Sequence, residues 1–228
     1  MAFTLEKVVP WGRSFDEYVA MFSLSKQDLE KRILGCGDGP ASFNAIHSRS
    51  GGKIISVDPL YQFSADEIKG RIEATYQTVI EQTQLNSHEF VWNHIPSVEA
   101  LGRLRMDAMD EFLSDYTNGV TEKRYIEASL PNLPFKDMEF DIALCSHFLF
   151  LYSQQYSAEF HMQSIKRLYR VAREVRIFPL LELGATKSRH LDFVIAHLRD
   201  EGIIVSIDTV PYEFQKGGNQ MLKIIRPL

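Results

Sequence analysis

The chain has 228 residues, of which 45% are hydrophobic and 24% charged, with a formal net charge of −5; this is the balance of an ordinary globular protein with one sizeable core and not of a disordered chain. The acidic excess offers no general attraction to nucleic acid or to an anionic membrane surface, so neither is expected as a partner. No apolar run nears the ~20 residues of a membrane span; two cysteines in so long a chain argue against a disulfide framework, and with no secretion-type N-terminus the expected location is the cytoplasm.

In chain order, Ser14 and Glu17 form a capping box for a short helix over "SFDEYVAMF", and Ser25 opens a second over "SKQDLEKR". "RIL" is the first strand, leading into the glycines of "GCGDG". "PASFNAIHS" is a helix with Pro40 in its first turn and Gly51-Gly52 at its end. "KIISV" is a buried strand tipped by Asp58. A Ser64/Glu67 capping box and apolar steps of three and four predict a helix over 64–86, and a further helix is expected over 97–116 with a solvated charged face at 99–111. "TNGVTEKR" is expected as an exposed connection.

Strand and helix then alternate through "YIEASL", "DIALCSHF", "SAEFHMQSIKRLYRVA", "EVRIFPLL" and "SRHLDFVIAHLRDE", the rhythm of a mostly parallel sheet with helices on both faces. The last two strands are joined through "QKGG", too short for a crossover, so they pair antiparallel. The expectation is one α/β domain over 1–228 with a seven-stranded sheet, an N-terminal helical segment at 1–31 and a helical insertion at 64–118. No Cys/His spacing suggests a metal site.

Glycine after a strand costs backbone entropy, and its use is to let main chain approach a ligand closely beyond the carboxyl ends of a parallel sheet. Asp58, 21 residues after Gly37, lies where a carboxylate accepts from both hydroxyls of a ribose. Together they point to a nucleoside, with NAD, FAD and S-adenosylmethionine all open. Ser42 stands where the third glycine of a dinucleotide fingerprint belongs.

From Arg32 onward the chain resembles the class I S-adenosylmethionine-dependent methyltransferases, whose fold is Rossmann-like. The resemblance rests on "GCGDGPA", "ASLPNLPF", "FDIALCSH" and the terminal strand pair. It implies S-adenosyl-L-methionine as cofactor, with Gly37 and Gly39 in the central glycine positions of the first motif. It also implies Asp58 on the ribose, Pro59 against the adenine, Ser129 and Leu130 at the adenine edge, and Ser146 near the methionine part. Two residues depart from the family: Gly35 and Ser129 each replace an acidic side chain, and Asp38 is the candidate substitute anion for the cofactor's ammonium.

Methyl transfer from a sulfonium needs alignment and dryness more than acid or base. A base is needed where the acceptor loses a proton, and His147, just past the fourth strand, is the candidate. The expected activity is methyl transfer to a small-molecule acceptor, in a monomer or an oligomer. The alternative is a protein that binds or senses S-adenosylmethionine without transferring its methyl group.

Overall fold

The computed structural model describes residues 9–226. Its seven strands are β1 (Arg32–Cys36), β2 (Lys53–Val57), β3 (Tyr125–Ile126), β4 (Phe140–Ser146), β5 (Ala172–Phe178), β6 (Ile204–Thr209) and β7 (Gln220–Ile225). They form a single sheet in the order β3-β2-β1-β4-β5-β7-β6. All neighbours are parallel except β7, which runs antiparallel to both β5 and β6.

Alternation along the strands divides the core. Leu34, Cys36, Ala143, Cys145, Val175, Ile177, Leu222 and Ile224 face one side. There they meet α6 (Ala158–Val171) and α7 (Leu191–Asp200) through Ile165, Leu168, Val194 and Leu198. Ile33, Ile142, Leu144, Phe178 and Met221 face the other side, where α1 (Phe15–Met21) and α3 (Phe43–Arg49) supply Tyr18, Met21 and Phe43. The short α2 (Lys26–Leu29) connects α1 to β1. Successive side chains on a strand point to opposite faces, and both faces here are covered, so β1 and β4 read as continuous apolar runs.

Two long helices, α4 (Ala65–Leu85) and α5 (Val98–Thr121), pack together with Tyr61 and Tyr125 in an aromatic layer of their own. The capping boxes at Ser14/Glu17 and Ser64/Glu67 are both formed.

Several boundaries differ from expectation. α3 begins at Phe43, so Pro40 lies before the helix instead of in its first turn. "YIEASL" is a strand only at Tyr125–Ile126. The expected exposed connection after residue 116 is the last turn of α5, which continues to Thr121. The face of α5 expected to be solvated hides one cation: Arg105 is 0% exposed and bonded to Glu17 of α1 at 2.5 and 2.7 Å. Among the described residues no helix is long and apolar enough to cross a membrane, and no group of His, Cys, Asp and Glu side chains is placed to hold a metal.

Candidate active site

Register sets three strand ends level. Cys36 of β1 pairs with Val57 of β2 on one side and with Cys145 of β4 on the other. The next residues, Gly37, Asp58 and Ser146, therefore leave the sheet side by side. This is the point where the strand order departs from β1 in both directions, and there an open parallel sheet forms its crevice.

A cavity of about 730 Å³ occupies that place. Gly37, Asp38, Gly39, Asp58 and Pro59 line it from the first two strands, and Ser129, Leu130, Ser146 and His147 line it from the later ones. Gly35 alone of the expected residues does not reach it. Gly35 lies within β1, paired with Ser56 and Leu144, and a Cβ there would come within 1.8 Å of Asp38 Oδ2. The missing side chain is thus the space into which Asp38 folds back.

Asp38 is consequently buried. Its Oδ1 accepts from the Tyr18 hydroxyl at 2.9 Å and its Oδ2 from the Ser56 hydroxyl at 2.6 Å. Burial outweighs these two bonds and pushes the carboxyl up to about 7. Asp58 is held differently: Oδ2 accepts from the Gly39 N–H at 2.9 Å and Oδ1 from the Leu60 N–H at 2.8 Å. Burial raises its pKa too, against the pull of those two amides.

The loop's main chain is less available than expected. The Gly37 N–H donates to Val57 O at 3.0 Å and the Gly39 N–H is taken by Asp58. The glycines serve geometry instead: φ is +68° at Gly37 and +50° at Gly39, a region that side chains disfavour. A Cβ on Gly37 would press on Phe148 at 3.0 Å, whereas one on Gly39 would meet no atom within 4 Å. Tyr61 fixes the loop from outside by donating its hydroxyl to Gly39 O at 2.8 Å.

His147 sits just past β4 with φ of +47°, and its N–H donates to Phe178 O at 2.7 Å. Its Nδ1 lies 3.0 Å from Ser146 Oγ, beside the Tyr18 hydroxyl that donates to Asp38. With Nδ1 engaged by Ser146, Nε2 is the ring nitrogen left without a hydrogen bond among the described residues. Burial, then Arg13 and Arg105, hold the His147 pKa well below its ordinary value, so the ring is neutral at physiological pH.

The N-terminal helical segment also reaches the site: Trp11, Arg13 and Tyr18 belong to the cavity wall. Phe148, Tyr152 and Tyr156 line it as well, while Phe150 is core. No local pattern fixes Tyr18 or Arg13 as site residues, because both reach the site only through the docking of the N-terminal segment on the sheet.

A sheet in this strand order, with an antiparallel last strand inserted between β5 and β6 and a glycine loop after β1, is the class I methyltransferase fold. No protein-family model matches the chain. It is 34% identical over 223 residues to the "Uncharacterized protein MJ0045" of Methanocaldococcus jannaschii, spanning 97% of this chain and 98% of that one, and it belongs to the same family as that protein. Among solved structures it is similar to the magnesium protoporphyrin IX methyltransferase of Synechocystis PCC 6803 with bound SAM, at 12% identity and a TM-score of 0.49, over 93% of this chain and 78% of that one. It is also similar to a SAM-dependent methyltransferase described as a possible histamine N-methyltransferase, from Thermotoga maritima, at 11% identity and a TM-score of 0.43, over 93% of this chain and 89% of that one.

Proposed function

We propose that the chain is a cytoplasmic S-adenosylmethionine-dependent methyltransferase with a small-molecule acceptor. The observation that carries this reading is the shared level of Gly37, Asp58 and Ser146 at the rim of one cavity of about 730 Å³. The residues present suit the cofactor. Gly39 faces open space where a side chain would intrude, and Asp58 is held through one lone pair of each oxygen, leaving the others for a pair of ribose hydroxyls. Pro59, Ser129 and Leu130 are assigned to the adenine, and Ser146 with the Asp38 carboxyl behind it to the methionine end.

S-adenosylmethionine, when bound, supplies a sulfonium methyl group and departs as a neutral thioether, so the chain needs no acid for the leaving group. Phe148, Tyr152 and Tyr156 exclude water from the cavity. Where the acceptor carries a proton, His147 takes it on Nε2. Donation of the Nδ1 proton to Ser146 Oγ, 3.0 Å away, orients the ring for that role.

The test is calorimetric titration with S-adenosylmethionine and with its demethylated product, followed by a labelled-methyl assay in cell extract. Micromolar binding of both and a labelled small molecule are expected. His147→Gln is expected to bind the cofactor within threefold of the wild type and to lose roughly 10²-fold or more in transfer to a protonated acceptor. No binding at millimolar cofactor overturns the reading; binding with no labelled product across broad extracts reassigns the chain to sensing.

A further inference from the structure

Beyond His147 the cavity continues into a second chamber of about 90 Å³. Of the residues assigned above to cofactor or catalysis, only His147 lines it. Its walls come from segments remote in sequence, with Val79 of α4, Leu101 of α5, Phe90, Leu183 and Phe214 making it apolar and largely aromatic. Arg13, like His147, lines both chambers.

Among the described residues Arg13 is a cation without a paired anion. Its Nη1 donates to Trp11 O at 2.7 Å, its buried Nε has no partner, and among the described residues it makes no ion pair. The carboxylate nearest in charge terms, that of Glu17, is already committed: it takes both Arg105 nitrogens and the Tyr212 hydroxyl, the last at 2.8 Å. Among the described residues two guanidinium groups thus face one carboxylate, which pairs with Arg105 and leaves the charge of Arg13 in excess. Burial lowers the Arg13 pKa only to about 10, so the excess persists at neutral pH. An unpaired buried cation is costly unless a ligand supplies its counter-charge.

We propose that this chamber takes the apolar, ring-bearing body of a methyl acceptor that also carries a carboxylate, with the carboxylate bound by Arg13 and the reacting group presented to His147. The proposal rests on the methyltransferase reading for the word acceptor, while the anion site stands on the chamber itself. A single planar fork matches a single carboxylate, and among the described residues no second unpaired cation lines the chamber of the kind a phosphate dianion calls for.

Benzoate is the probe and benzamide its uncharged counterpart, each titrated by NMR into the full chain, with and without the demethylated cofactor. Benzoate is expected to bind at least fivefold more tightly than benzamide. Arg13→Gln is expected to abolish that preference and Arg13→Lys to keep most of it, with thermal unfolding confirming that both variants fold. Leu183→Phe, which narrows the chamber, is expected to weaken both probes while cofactor affinity holds within threefold. Equal binding of the two probes, or a preference that survives Arg13→Gln, overturns the proposal. So does a tenfold loss of S-adenosylmethionine affinity in Arg13→Gln with the probe preference intact, since the carboxylate held there is then the cofactor's own. A benzoate preference in a chain that binds no S-adenosylmethionine supports the anion site and overturns the methyl-transfer reading instead.

Discussion

The two ends of the cavity are built on opposite charge. At the glycine-loop end, Asp38 and Asp58 are held by hydroxyl and amide donors, with no cation in ion-pair contact among the described residues. At the other end Arg13 lines the wall beside a neutral His147, and the carboxylate behind it, Glu17, is paired with Arg105. The difference teaches how each end answers the loss of a partner. A buried carboxyl escapes its penalty by taking a proton, as Asp38 half does near pH 7. A guanidinium has no such escape near neutral pH, because even Arg13, lowered by burial to about 10, keeps its proton there.

The largest effect is therefore expected from Glu17→Gln, which leaves Arg105 buried and uncompensated. Breaking a buried pair on one side costs about 3–5 kcal/mol, readable as a fall in the urea midpoint. Arg105→Met is expected to cost less as pH falls and Glu17 regains a proton. In the wild type burial raises the Glu17 pKa, while Arg105 first, then Arg13 and the Ser14 N–H, lower it to about 2, and the largest part of that restraint goes with the arginine. The double variant is expected to recover most of the loss. A Glu17→Gln protein within about 1 kcal/mol of the wild type, as for an exposed pair, breaks the contrast between the ends.

Asp38 sharpens the contrast through pH. Its folded pKa, about 7, lies above the ordinary carboxylate value, so the folded chain keeps the proton longer than the unfolded one. This contribution is neutral while both states are protonated. It becomes unfavourable as pH rises from the ordinary carboxylate value to about 7, at up to roughly 1.4 kcal/mol per pH unit, and is constant above that. Asp38→Asn removes the slope. The wild-type stability curve minus that of the variant is expected to fall across pH 4.5–6.5 and to level off by pH 8. A flat difference means that Asp38 is ionised in the fold throughout.

These two ends were not equally legible in the sequence. The acidic end is local: a strand, a glycine loop and a strand tip carry Gly37, Gly39 and Asp58, and parallel pairing of adjacent strands is enough to bring them together. The seventh strand was legible too, because four residues cannot cross over. The basic end joins residues 11–13, 79–90, 101–105 and 212–218 through tertiary packing alone, and no short-range pattern encodes that meeting. Arg105 illustrates why. Its neighbours on α5 read as a solvated charged face, and only the docking of α1, with Glu17 on its inner side, turns one of those arginines inward. The end of β1 differs for the opposite reason: the run of glycines in the sequence suggests one ligand loop, but Gly35 is a strand residue whose missing Cβ admits Asp38.

The smallest effect expected is the one that bears most directly on function. On the proposed ribose contact, Asp58→Ala is expected to weaken S-adenosylmethionine by ten- to a hundredfold, the ~1.5–3 kcal/mol of a hydrogen bond to a charged group. It also strands the Gly39 and Leu60 N–H groups that Asp58 now satisfies, so some stability is lost with it. Asp58→Asn separates the two consequences. It keeps the size of the side chain and one acceptor oxygen for the loop, yet offers a ribose no anion. If Asp58 binds the nucleoside, the Asn variant recovers stability ahead of affinity, and the benzoate preference at Arg13 is unchanged in both variants. If calorimetry instead shows wild-type affinity in both while unfolding shows a loss in Ala that Asn repairs, Asp58 is a strut of the glycine loop, and the cofactor's ribose is held elsewhere.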